Sequence, residues 1–287
     1  MRKLIALVVA LSAVLVIGVV PASAVQYGQP DGNGHPNVGL VVFFEDGIPL
    51  WRCTGTLLDA STFLTAGHCT GADPSGAEPD AAEIWFSSGF PSPIPLGAGF
   101  PAAGPNPCAG ITGYPCTGDA SGTPIPHPDF TFFADFPNTH DVGVVELDAP
   151  RAGPYASLAP AGYLDDLATR RGQQDRSFTV VGYGLQSVKP VVSQLRTRMV
   201  GTVQLTNLRS SLTDGFNVQT TDSPGQGHGS GGTCFGDSGG PLFVGSTNMI
   251  GGVTSFGLNQ NCKGTSFFFR MDISDARNFL DDFVTLP

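Results

Sequence analysis

The chain has 287 residues, enough for one two-lobed domain or two small ones, and 24 acidic against 14 basic residues give it a formal charge of −10. That acidity excludes nucleic acid and anionic membranes as expected partners. Only 13% of the residues are charged while glycine and proline number 39 and 24, which suits a turn-rich, all-β extracellular protein.

In chain order, Arg2 and Lys3 precede an apolar run from Leu4 to Val20, and Pro21-Ala22-Ser23-Ala24 follows with the small residues of an A-x-A cleavage site. This predicts a secretory signal peptide over residues 1–24, a mature chain over 25–287 and a secreted, extracellular location. The apolar run is long enough to serve as an uncleaved anchor. The proline and small residues favour cleavage instead, with no stable membrane association afterwards, and no cysteine stands at the cleavage point to carry a lipid. Removing Arg2 and Lys3 takes the formal charge from −10 to −12. All six cysteines lie in the mature region, an even number that predicts disulfides in an oxidising compartment and leaves their connectivity open.

Short β-type runs recur between Gly/Pro/Asn/Asp clusters, at 38–44, 53–58, 63–66, 84–86 and 142–147, then at 178–183, 199–205, 216–220, 241–244, 249–256 and 267–271. Such spacing predicts a β-sandwich or barrel. The segment from Thr70 to Asn138 is rich in Pro, Gly and Ala, includes Pro91-Ser92-Pro93-Ile94-Pro95, and reads as a surface insertion or, functionally, as a lid or exosite. A second glycine-rich stretch runs from Gly225 to Gly232. A helix is expected only at the end, with Ser274 as its cap and Ala276, Phe279, Leu280 and Phe283 on one apolar face.

Three segments carry chemistry: Thr65-Ala66-Gly67-His68-Cys69, His140-Asp141-Val142-Gly143, and Gly236-Asp237-Ser238-Gly239-Gly240-Pro241. A serine hydroxyl is a poor nucleophile until a base takes its proton, and a carboxylate orients that base. His68, Asp141 and Ser238 supply one of each. Glycines beside the serine permit a tight turn whose N–H groups face a substrate carbonyl.

The three motifs in this order resemble those of the chymotrypsin-fold, trypsin-like serine proteases, from about Val25 to the C-terminus. The resemblance implies an all-β fold of two six-stranded antiparallel barrels, with the active site between them and a short C-terminal helix. It assigns His68 as base, Asp141 as its orienter, Ser238 as nucleophile, and the N–H groups of Gly236 and Ser238 as oxyanion hole. It pairs Cys53 with Cys69 and Cys234 with Cys262, leaving Cys108 with Cys116. It also implies that the α-amino group of Val25, freed by cleavage, pairs with Asp237. Val25-Gln26-Tyr27-Gly28 matches the family's Ile-Val-Gly-Gly start at its first and fourth residues only, and signal cleavage itself is the expected activating step. The family position at the base of the primary pocket falls on Gly232, where an acid would select Lys or Arg. With Thr233, Ser255, Gly257 and Gly264 also neutral or small, a neutral pocket preferring apolar side chains is expected. Phe256 stands where the family's substrate-pairing edge strand usually has tryptophan. The implied function is a secreted serine endopeptidase, a monomer acting on proteins or peptides, open to protein inhibitors and needing no cofactor. An inactive binding module and an esterase on the same barrels are the alternatives.

An α/β-hydrolase is excluded because that fold needs its histidine after the serine, and the last histidine here is His228. His35, His127 and His228 read as solvated loop residues, and His140 as facing away from Asp141 across a strand. No histidine or cysteine cluster has zinc-ligand spacing, and no loop has a calcium pattern.

Overall fold

A computed structural model describes residues 25–87, 107–168, 177–190, 192–222 and 231–287. The predicted signal peptide, Pro91 to Pro95 and His228 lie outside the described residues. The first closed barrel runs in the order β2 (Val38–Glu45), β3 (Ile48–Leu57), β4 (Thr62–Thr65), β7 (Gly143–Leu147), β6 (Ala120–Pro126) and β5 (Ala81–Trp85). The second joins β9 (Ser177–Gly182), β10 (Met199–Asn207), β11 (Asn217–Thr221), β14 (Thr265–Arg270), β13 (Met249–Gly257) and β12 (Pro241–Val244), and it closes because β9 pairs with both β10 and β12. Two short strands attach outside it, β1 (Gln29–Pro30) on β10 and β8 (Ser157–Leu158) parallel to β13.

The apolar pattern explains why two barrels form and why they adhere. Successive residues of a strand face opposite sides. In β2, Val41 and Phe43 point into a cluster with Leu57, Phe63, Ile84 and Val145, the interior of the first barrel. Val38, Leu40, Val42 and Phe44 face the other way, into a cluster with Phe243, Ile250, Val253 and Phe269 of the second barrel. Both faces of β2 are buried, so its sequence is continuously apolar rather than alternating. The C-terminal helix, α3 (Ser274–Leu280), seals the same inter-barrel cluster through Ala276, Phe279 and Leu280.

Three sequence expectations change here. The 70–138 segment is not a mere insertion, since it contributes β5 and β6, two of the six staves of the first barrel. β6 escaped notice because Ala120-Ser121-Gly122-Thr123-Pro124-Ile125-Pro126 has low β propensity. Pro124 and Pro126 nevertheless fit it, paired to β7 at Val145 and Gly143. Ser274 is the first residue of its helix rather than the cap, which falls on Ile273 without a side-chain hydrogen bond. Single helical turns also occur at α1 (Gly67–Thr70) and, slightly longer, at α2 (Tyr163–Ala168). None of the described helices is long and apolar enough to cross a membrane.

A buried arginine ties the two barrels together. Arg198, just before β10, is fully buried and donates through Nε to Asp31 at 2.8 Å and through Nη1 to the carbonyls of Val38 at 3.1 Å and Phe86 at 3.2 Å. Burial alone would push the Asp31 carboxyl up, but hydrogen bonds from His35 and Arg198 outweigh it and hold it at about 2. His35 is therefore a hydrogen-bond partner of Asp31, stacked on Phe243 at 5.3 Å, and not a solvated loop residue. A depressed carboxyl stabilises the fold above its ordinary value of 3.8 and loses that contribution as pH falls towards about 2. Asp31→Asn should cost about 3–5 kcal/mol at neutral pH by leaving Arg198 buried without its anion. Urea unfolding across an acid series should show the wild-type and variant curves converging over that window.

Candidate active site

His68 sits in α1, a single turn pinned from two sides. The Cys53–Cys69 disulfide, with Cα atoms 6.4 Å apart, ties the turn to β3, and the Trp51 indole N–H donates to the Cys69 carbonyl at 2.9 Å. Asp141, just before β7, is fully buried and receives three donors. The His68 backbone N–H reaches its Oδ1 at 2.8 Å, the imidazole Nδ1 reaches its Oδ2 at 2.9 Å, and the Ser255 hydroxyl donates to that same Oδ2. Donors on both oxygens fix the carboxylate in place, and the bond to Nδ1 gives the imidazole one orientation. Ser238 and His68 line the same cavity between the barrels, of about 510 Å³.

The serine lies on a turn that the surrounding barrel makes compulsory. Gly239 has φ +75°, and a Cβ there would stand 2.0 Å from Thr65 Oγ1 and 2.6 Å from the Thr54 carbonyl. Among the described residues, the N–H groups of Gly236 and Ser238 have no acceptor. Beneath the turn Asp237 is fully buried and accepts from the N–H groups of Gly184 at 2.8 Å, Cys234 at 2.9 Å and Val25. Burial pushes its carboxyl up to about 7 despite those donors, with Arg52 pulling the other way. Val25 is itself fully buried, in the second barrel's core with Phe178, Val180 and Leu242. The residues expected to form the activation pair are thus in contact.

The cavity takes in four of the six residues expected at the primary pocket. Thr233, Ser255, Phe256 and Gly257 line it, and the Cys234–Cys262 disulfide borders it. Gly232 and Gly264 are not on its wall. Its lining also includes Asp222, immediately after β11, whose carboxyl burial pushes up to about 7. The sequence argument tested only the family's acid position and missed a carboxylate entering from a neighbouring strand. Ser255 has a second task besides lining the pocket, since its hydroxyl is spent on Asp141.

The model for the family described as Trypsin matches residues 109–278, a span that includes Asp141 and Ser238 and begins after His68. The chain belongs to the trypsin family. A mouse (Mus musculus) protein named kallikrein 1-related peptidase b27 is 26% identical over 220 residues, covering 71% of this chain and 70% of that protein. A solved structure titled HL collagenase superposes with a TM-score of 0.60 at 17% identity, covering 90% of this chain and 97% of that one, which supports the fold alone. The three disulfides are those the trypsin-like resemblance implied: Cys53–Cys69, Cys108–Cys116 and Cys234–Cys262.

Three features of the site were not read from the sequence. Thr54 of β3 connects the first barrel to the serine turn. Its N–H donates to the Ser238 carbonyl at 2.8 Å, its hydroxyl donates to the Gly236 carbonyl at 2.8 Å, and that hydroxyl accepts the Tyr183 N–H at 3.1 Å. Phe133, Phe136 and Phe256 form an aromatic wall beside His68. Phe133 lies 5.9 Å from the His68 ring and 6.0 Å from Phe256, while Phe136 lies 5.6 Å from Phe256 and Phe256 stacks on Phe267 at 4.5 Å. The visible signal was the run Phe130-Thr131-Phe132-Phe133, passed over within the supposed insertion. Finally, His127 is buried and stacked on His140 at 5.1 Å, whose Nδ1 pairs with Asp275 of α3 at 2.9 Å. His127, Asp129 and His140 bring potential ligand atoms within 4.8 Å of one another. His127 Nδ1 already accepts the Asp129 N–H at 3.1 Å, and burial holds its imidazole below its ordinary value. In the structure the cluster braces the backbone immediately before Asp141.

Thr54→Val removes a hydroxyl that satisfies two buried backbone groups. The expected cost is about 1–3 kcal/mol in thermal unfolding, with activity falling by at least about tenfold as the serine turn loosens. Thr54→Ser should restore both.

Proposed function

We propose that this member of the trypsin family is a secreted serine endopeptidase that hydrolyses peptide bonds through an acyl-enzyme. The reading is supported by the fully buried Asp141, which holds His68 Nδ1 at 2.9 Å and leaves its other ring nitrogen available, and by the cavity that His68 and Ser238 both line. In the proposed mechanism His68 takes the Ser238 proton as the hydroxyl oxygen attacks the scissile carbonyl. Asp141 stabilises the imidazolium so formed, and the N–H groups of Gly236 and Ser238 receive the oxyanion. His68 then protonates the leaving amine, and water repeats the sequence on the ester to free the acid. The aromatic wall of Phe133, Phe136 and Phe256 supports binding of apolar residues on the amino side of the scissile bond.

Residues 1–24 act in this reading as an export signal whose removal also switches the enzyme on. Val25 is already buried against Asp237. A free α-ammonium there would convert a neutral N–H contact into a buried ion pair and draw the carboxyl down from about 7. Asp237 carries the backbone of the serine turn, so the pair would fix the oxyanion donors.

Ser238→Ala should lower turnover on a protein substrate by about 10⁶-fold, the scale measured for a triad protease of another fold. Equal turnover in the variant and the wild type would end the endopeptidase reading. Intact mass of the exported protein should place the first residue at Val25. Adding one methionine before Val25 should lower activity by about 10²-fold or more, because breaking a buried ion pair costs about 3–5 kcal/mol. Undiminished activity in that form would end the activation reading alone.

A further inference from the structure

A second cavity, of about 460 Å³, adjoins the serine turn. Arg52, Tyr114, Leu185, Arg196, Phe235 and Gly236 line it. The cavity of His68 and Ser238 shares only Phe235 with it, so the two lie on opposite flanks of that exposed ring. Two guanidinium groups face the second cavity, and no Asp or Glu is among the described residues on its wall. The chain has only 14 Lys and Arg against 24 acids, so composition alone would not place two cations and no anion there.

Both cations are held by built structure. Arg52 lies on β3, one residue before the cysteine whose disulfide ties down the His68 turn. Its side chain runs along the serine turn, since a Cβ at Gly236 would stand 3.4 Å from Arg52 Nε and 3.7 Å from its Nη2. Among the described residues its guanidinium has no hydrogen-bond or ion-pair partner, and the fully buried Asp237 feels its charge only at a distance. Arg196 is 5% exposed and sets its guanidinium carbon 4.1 Å above the Tyr114 ring. Its φ of +50° falls in the left-handed region that a long side chain rarely adopts. The neighbours impose it: the Leu195 N–H donates to Gln186 Oε1 at 2.7 Å, and two residues on Arg198 is anchored on Asp31. The Leu185 N–H donates to the Phe235 carbonyl at 2.8 Å and fastens the same loop to the serine turn. Burial lowers the Arg196 guanidinium below its ordinary value, Tyr114 opposes the fall, and the nearby Arg52 charge adds to it. The two cations therefore repel each other.

We propose that this second cavity receives the leaving half of the substrate, and that Arg52, with Arg196 behind it, selects peptides bearing a carboxylate within the first few residues after the scissile bond. This rests on the endopeptidase reading of the neighbouring site. A carbonyl attacked by Ser238, with its oxygen on the Gly236 N–H, has the first cavity on one side and the second on the other. The aromatic wall of Phe133 and Phe256 takes the amino side, so the carboxyl side of an extended peptide runs past Gly236 to Arg52. A carboxylate arriving there accepts the paired, charge-assisted hydrogen bonds that a planar guanidinium offers. It also relieves the repulsion between Arg52 and Arg196. Leu185, Phe235 and Tyr114 flank the place with apolar surface, which strengthens the attraction by displacing water. An Asp or Glu side chain and a chain-end carboxylate share this chemistry.

The test takes a site that the wild type cuts in a mixed peptide library and builds amidated peptide pairs differing only by Glu or Gln after the scissile bond. Wild-type kcat/KM should be at least about tenfold higher for the Glu member, the scale of one hydrogen bond to a charged group. Arg52→Gln should bring the pair to parity, and Arg52→Glu should reverse the preference in favour of Lys over Gln. A purely structural role for Arg52, acting through Asp237, would slow both members equally and leave their ratio intact, which would overturn the proposal. So would a wild-type ratio near one. A matching set with free C-termini separates the two sources: a gain confined to the free carboxylate assigns the site to the end of the leaving peptide. If the wild type neither cuts nor reacts with a serine-directed fluorophosphonate, the endopeptidase reading fails and the anion site is judged separately. Fluorescence polarisation of dye-tagged Gly-Glu-Glu and Gly-Gln-Gln amides then decides it: preference for the Glu peptide that Arg52→Gln abolishes supports the site, and equal binding refutes it. If the variants do not fold, the wild-type Glu-to-Gln ratio decides alone, and it should fall towards one in molar salt.

Discussion

The candidate active site depends on one carboxylate placed at the seam of the two barrels. Asp141 comes from the first barrel, as does His68, while Ser255 on β13 of the second donates to the same carboxylate. Neither barrel alone could satisfy it. A polar group buried at that depth is costly unless it is hydrogen-bonded, so the carboxylate is tolerated only where the donors converge. Inter-barrel packing of β2 against Phe243, Val253 and Phe269 brings them together. The hydrophobic contact and the orientation of the His68 imidazole are in this sense the same event.

The same physics, with different partners, accounts for the other buried acids. Asp31 is matched by Arg198 and His35 and stays strongly ionised. Asp237 receives only backbone N–H groups, with Arg52 at longer range, and stands near neutrality until a full positive charge reaches it. Asp222 accepts a hydrogen bond on one oxygen and, among the described residues, has none on the other. A gradient from fully paired to half paired runs from the structural carboxylates to those that face the N-terminus and the cleft.

Some features were legible because short-range chemistry fixes them. The strands around 38–44, 178–183 and 241–244 have runs of branched and aromatic residues, and their observed bounds differ by a residue or so. The helix face of Ala276, Phe279 and Leu280 was readable from its period, although its cap was not. β6 was illegible because its residues are ordinary loop formers, held in a strand by pairing with β5 and β7. His35 and His127 were misread for a related reason. Their neighbours in sequence are Gly and Pro, whereas their partners are Asp31 and Phe243 for one and His140 and Phe279 for the other, most of them distant in the chain.

By itself the sequence determined the all-β character, the family, the identity of the candidate triad and, through the resemblance, the disulfide pairing, because these rest on residue types in a fixed order. Only the tertiary structure decided what the cleft contains. Thr54 bracing the serine turn, the aromatic wall beside His68, and Asp222 in the space left by Gly232 all depend on contacts between residues far apart in the chain. The character of a pocket is a sum over everything that reaches it, and a glycine at one position reveals only that the position itself contributes nothing.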